Sequence, residues 1–431
     1  MKRYGFVSFV LLLLLLSTAC NQQRPTGANV TVEGAATGTL YYQVGDGEWR
    51  RMPRIDDLRF GFMLPAEETR YGVALLCAPE WFSTNGELWV YQLTTEDATA
   101  LSLDCGPGAG EPLSAVALVV TKAQGDTGNY DEARASLGNG YGQASLGRTI
   151  GLYARPKEGQ GLLVWARDAN APYPIVRLRY DPGFDARPGR CPYDQPCTVE
   201  LGPGDAPDLQ SVDPLPLPPW AVHGGFHVEF VAHGWSSSPL TLGLGGFNGG
   251  RYLVVPNTVA GDLYAGRAWA GDGTYGSGES RFFGPQAQTL RFALPQAKFD
   301  PTIAEEALPT FVNLSYPDGP AAYLFRLDVY ARGSLWSAFT EHVLVSLRWL
   351  GENSSFTVPD LSHAPGLEGT RPLSGDRVDW SAAVLLSDLS LADLLAAERA
   401  PGYAGLDEHA VLRVPSVSLR FASKEGGYTV P

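Results

Sequence analysis

Tyr71-Gly72-Val73-Ala74-Leu75-Leu76-Cys77 places Tyr71, Val73, Leu75 and Cys77 on one side and the smaller residues between them on the other. A period of two is the side-chain spacing of a β-strand, and an apolar face implies a covering layer. The pattern recurs on both sides of this stretch. Upstream, Asp46-Gly47 joins Tyr41–Val44 to Glu48–Met52 in the manner of a hairpin, and Leu58–Leu64 is a further strand stopped by Pro65. Downstream come Glu87–Leu93 and Thr99–Cys105. Roughly seven short strands over residues 29–107 predict a small β-sandwich, immunoglobulin-like in architecture.

The rest of the chain continues in this style. Residues 108–202 read as a second β domain, with strands at Val116–Val120, Thr149–Ala154, Gly161–Ala166 and Ile175–Tyr180. Residues 203–219 contain Pro203, Pro207, Pro214, Pro216, Pro218 and Pro219, which exclude a helix or a central strand and predict a linker. Residues 220–300 form a third β domain, whose last strand, Thr289–Leu294, is closed by Pro295. Residues 301–431 form a fourth, with strands at Ala322–Tyr330, Val343–Leu350 and Ala410–Phe421. Ser390-Leu391-Ala392-Asp393 opens its short helix with a capping-box-like start. The expected fold class is mainly β: several consecutive β-sandwich-like domains and one short helix near the C-terminus.

Composition agrees with this layout. The chain has 431 residues, of which 44% are hydrophobic and 18% charged, enough apolar content to build cores and exclude global disorder. Its 50 Gly and 33 Pro interrupt helices throughout, which excludes long helical bundles. A formal charge of −14 argues against binding to nucleic-acid phosphates.

The N-terminus carries an address. Met1-Lys2-Arg3 is a short basic start, followed by Phe6-Val7-Ser8-Phe9-Val10 and the leucines Leu11 to Leu16. This apolar run is short for a membrane span and has the layout of a secretory signal. It ends in Ser17-Thr18-Ala19-Cys20. Residues 1–20 resemble the signal and lipobox of bacterial lipoprotein precursors, with Ser17 where Leu is most usual. The resemblance implies removal of residues 1–19, lipidation of Cys20, and a polar tether over residues 20–28. An acidic chain is repelled by anionic headgroups, so lipid rather than charge would hold it at a bacterial membrane, outside the cytoplasm.

With Cys20 assigned to lipid, Cys77, Cys105, Cys191 and Cys197 remain, an even set that suits two disulfides in an oxidising compartment. Cys77 and Cys105 each end an alternating run on its apolar face, which favours a buried bridge between strands. Cys191-Pro192-Tyr193-Asp194-Gln195-Pro196-Cys197 is a tight loop suited to a local bridge. Zinc is the alternative use of four thiols, but Cys-x-x-Cys spacing is lacking.

Chemistry-bearing motifs are sparse. His223, His227, Glu229 and His233 form the densest polar cluster, and a strand would put His227, Glu229, Val231 and His233 on one face. Imidazole and carboxylate groups at that spacing suit a divalent metal; a half-buried strand with a polar outer face is the plainer account. No Gly-x-Ser-x-Gly elbow occurs, no carboxylate pair stands out, and no residue is nominated as catalytic. Asp272–Glu279 reads as a Gly-rich hairpin tip rather than a calcium loop. Trp81 and Phe82 lie in an otherwise polar loop and are candidate ligand-stacking residues. The resulting expectation is a lipid-anchored extracytoplasmic protein that binds an envelope glycan or protein without catalysis and needs no cofactor. The alternatives are an extracytoplasmic hydrolase acting on glycan and a metal- or solute-binding lipoprotein. Oligomeric state is not encoded in any of these patterns.

Overall fold

Twelve strands hydrogen-bond into one sheet whose members come from both ends of the chain. The computed structural model describes residues 27–431 except 35–37, 78–85, 104, 106–113, 139, 155–158, 169, 171–173, 234–239, 285–287, 335–337 and 398–416. Across the sheet the order is Leu240–Gly246, His223–Val231, Leu263–Gly271, Tyr275–Phe283, Ser418–Thr429 and Arg377–Ser387. It continues with Ala322–Tyr330, Phe339–Ser346, Gly86–Thr94, Arg70–Cys77, Gly38–Val44 and Arg50–Arg51. Neighbours are antiparallel except Phe339–Ser346 and Gly86–Thr94, which run parallel with Val343 opposite Val90 and Leu344 opposite Tyr91. At this join both faces are buried from Leu88 to Thr94 and along Phe339–Ser346, and apolar residues such as Leu88, Val90, Val343 and Leu344 occur on both sides, with Gln92, Glu341 and His342 buried among them.

The strands between residues 29 and 103 fall in two packed layers, one of which is part of the large sheet. A three-stranded sheet of Arg59–Met63, Asn29–Gly34 and Ala100–Leu103 covers one face of the large sheet. Val30, Val32, Phe62 and Leu103 pack there against Tyr71, Val73, Leu75 and Tyr91. Cys77 bridges to Cys105 across the two layers. The helix Leu391–Ala396 extends the cover with Leu391, Leu394 and Leu395, and Ser390 Oγ caps it by accepting from the Asp393 N–H. On the opposite face, a small sheet of Thr302–Ala304, Thr310–Val312 and Ser355–Thr357 seats Phe311 and Phe356 against Phe325.

Residues 114–201 build a separate sandwich. Its two sheets enclose Val116, Leu118, Ile150, Leu162 and Val164, and the Cys191–Cys197 bridge closes its loop. Strand Leu162–Arg167 serves two cores: Leu162 and Val164 point inward, while Leu163 and Trp165 belong to the core around Phe226 and Phe230.

Several expectations are corrected. The Pro-rich stretch is not a free linker. Asp208–Val212 pairs with Gly250–Val254, and Val212 and Leu215 are buried, because the prolines flank that strand rather than interrupt it. Thr289–Leu294 keeps an inward alternation through Leu290, Phe292 and Leu294, but only Leu290 bridges to another strand. The Ala293 N–H is taken by the Glu279 carboxylate instead of a ladder partner. The strand expected at Val343–Leu350 ends at Ser346, whose hydroxyl accepts from the Trp349 N–H and starts the helix Leu347–Leu350. Two short α-helices are therefore present among the described residues, not one. Ala410–Phe421 is described only in part: the strand there is Ser418–Thr429. The boundaries drawn at 107 and 300 do not break the large sheet, which takes strands from either side of each.

Candidate functional site

The strand His223–Val231 shows how the site arises. Phe226, Val228 and Phe230 are buried in the core on one face. His223, His227 and Glu229 fall on the other, together with Gly225. Register sets Gly225 opposite Trp269 and His227 opposite Arg267 on the next strand. With no side chain on residue 225, the Trp269 indole lies across it: a Cβ there would be 2.7 Å from indole Cζ2. Two strands further, the Phe421 ring covers Gly278 in the same way. Trp269 retains 38% of its surface in solvent.

The Trp269 and Phe421 rings line a cavity of about 460 Å³, with Gly271, Gly273 and Gly276 also in its wall and polar groups from His223, His227, Arg267, Ser423 and Glu425. His227 Nε2 lies 3.8 Å from Glu229 Oε1, and the imidazole tilts toward the Trp269 ring at 5.8 Å between centroids. Burial pushes the Glu229 carboxyl up from its ordinary range, and the positive charge of Arg267 opposes that shift.

His233 belongs elsewhere. It follows the end of the strand, with its Nδ1 3.0 Å from Asp262 Oδ1 and its Nε2 2.9 Å from the Gly159 carbonyl. Tyr180 donates to the same Asp262 oxygen at 2.8 Å. These contacts tie residues 114–201 to the next core. The four candidate metal ligands are thus divided: His223, His227 and Glu229 share one face, and His233 is used in a junction. Among the described residues, no group of three or more His, Cys, Asp or Glu side chains is placed to hold a metal ion. Cys20, Trp81 and Phe82 lie outside the described residues.

Sequence reading missed a second polar region on the same sheet face. Arg326-Leu327-Asp328 and Arg377-Val378-Asp379 are two Arg-x-Asp triplets on neighbouring strands, with Asp328 directly opposite Asp379. Arg377 donates to Asp379 through Nε at 2.8 Å and Nη2 at 2.6 Å. Arg326 pairs with Asp328 at 3.1 Å, and Thr340 donates to Asp328 Oδ1 at 2.7 Å. The repeated Arg-x-Asp spacing was the available signal, because strand alternation puts both members of each triplet on one face.

No helix among the described residues is long and apolar enough to cross a membrane. No family model and no curated protein matches this chain.

Proposed function

We propose that the protein is a lipid-anchored, extracytoplasmic binding protein whose cavity beside Trp269 holds an uncharged carbohydrate. The observation that carries this reading is the Trp269 ring, laid over Gly225 and partly open to solvent, beside the donors and acceptors of His223, His227 and Arg267. A flat apolar face flanked by a few fixed polar groups suits a sugar ring, which has apolar C–H faces and a hydroxyl rim. A peptide strand suits it poorly. Every strand from His223–Val231 to Ala322–Tyr330 is paired on both sides, so no free edge is offered for added backbone hydrogen bonds. The Asp328–Asp379 pair is the feature a glycan hydrolase would need. Each carboxylate is occupied by its own guanidinium, which favours recognition over proton transfer.

The test is calorimetry and tryptophan fluorescence with soluble β-1,4-linked hexasaccharides of glucose, N-acetylglucosamine and mannose. Binding of at least one, with loss in Trp269→Ala, is expected. If none binds the full-length protein, the carbohydrate reading fails.

A further inference from the structure

We infer that the cavity lined by Arg326, Asp328, Arg377, Asp379 and Ser381 is a second subsite of the same groove, so that the ligand is a chain of sugars rather than a single one. The inference rests on the carbohydrate reading above and extends it.

This second cavity has a volume of about 670 Å³, and it shares Gly273 and Glu425 with the first as common wall. Both open on one face of one sheet. From the strand carrying His227 to that carrying Arg326 there are five strand steps. At about 4.8 Å each the span is roughly 24 Å, room for several sugar units in a row.

The lining chemistry fits the same ligand class. Two guanidiniums face three carboxylates, those of Asp328, Asp379 and the shared Glu425, so the lining has little net charge and an anionic polymer gains no net attraction. A chain of hydroxyl groups gains donors from Arg and acceptors from Asp, both planar and held in place. The side chains are positioned before a ligand arrives. Arg377 also lies over the Tyr330 ring at 5.3 Å, and Asp328 is fixed from two sides by Arg326 and Thr340. Gly427 is part of the design: a Cβ there would sit 2.6 Å from Asp379 Oδ1 and push that carboxylate out of its place.

The experiment compares dimers and hexamers of the same three sugar series on the wild type, Trp269→Ala, Arg377→Ala and Asp379→Asn, each checked for folding by circular dichroism. Asp379→Asn keeps the shape and removes the charge, which guards against a packing defect in Arg377→Ala. In the wild type a hexamer should bind about tenfold or more tighter than its dimer. That advantage should fall below about threefold in Arg377→Ala and Asp379→Asn, with dimer affinity unchanged, whereas Trp269→Ala should weaken both lengths. If a hexamer binds the Arg377 and Asp379 variants as it binds the wild type, the second subsite is overturned and the Trp269 site stands. If no sugar of either length binds the wild type, both readings fall together.

Discussion

The indole of Trp269 occupies the space that a side chain at residue 225 would need. A methyl group at 225 would lie 2.7 Å from the ring and 2.8 Å from the Gly245 carbonyl, so both the ring and the neighbouring strand would have to move. Gly225→Ala should therefore cost about 1–3 kcal/mol of stability and displace the ring. Trp269→Ala should leave folding nearly intact while weakening sugar binding by about 2 kcal/mol, some thirtyfold. Thermal melts beside calorimetry separate the two. Equal binding by Trp269→Ala and wild type would remove the ring from the site.

Glu341 makes stability depend on pH. It lies between Leu327 and Leu88 in the core, 5% exposed, with no hydrogen-bond partner for Oε1 among the described residues. Burial, with the negative charge of Asp360 adding to it, pushes its carboxyl up to about 8. In the unfolded chain the group ionises near its ordinary value of about 4.3. Between these values the unfolded state releases a proton that the native state keeps, so stability is complete below about pH 4.5 and falls as pH rises toward 8. The loss should amount to a few kcal/mol. Glu341→Gln should gain on the wild type across that window, which urea midpoints near pH 5 and pH 9 would reveal; a constant difference would refute the assignment.

Asp262 holds two parts of the molecule together. It is 1% exposed, accepts from the backbone N–H of His233 and of Val259 and from the Tyr180 hydroxyl, and lies 3.0 Å from Nδ1 of the His233 ring. Asp262→Ala strands these buried donors and should destabilise by about 3–5 kcal/mol. Tyr180→Phe removes one bond and should cost about 1–2 kcal/mol. Hydrogen exchange should show the loosening at residues 159–181 and 231–263; uniform protection in the alanine variant would contradict this.

The two disulfides should differ in worth. Cys77 and Cys105 are 28 residues apart, whereas Cys191 and Cys197 are 6 apart. Loop-closure entropy then gives about 3–4 kcal/mol for the first and about 2 for the second. Paired Ser substitutions compared by denaturant titration test the order, and a larger loss from the shorter loop would reverse it.

Lipidation at Cys20 is tested by expressing the full chain with its signal in a bacterium. The mature protein should begin at residue 20, carry a mass increment of a diacylglycerol, and partition into detergent. Cys20→Ala should leave it in the aqueous phase. Wild-type protein cut elsewhere, or free of lipid, would refute the anchor.

Many of the strands were legible in the sequence, because alternation with a period of two survives in any context that buries one face. Tyr71, Val73, Leu75 and Cys77 could be placed on one side without knowing what covered them. The Ser390 cap and the cysteine pairs were legible for the same reason: each rests on neighbours within a few residues or on parity. Which strands meet is set by long-range packing. The pairing of Gly86–Thr94 with Phe339–Ser346 joins residues some 250 positions apart, and apolar strands with similar faces do not encode their partners. The two cavities depend on further pairings of this kind, those of Ser418–Thr429 with Tyr275–Phe283 and with Arg377–Ser387. His227, Trp269, Phe421 and the two Arg-x-Asp triplets sit on five separate strands, and they become one surface only when the sheet brings those strands side by side. His233 shows the converse, since its place was set by Asp262 and Tyr180 rather than by the alternation of its own strand.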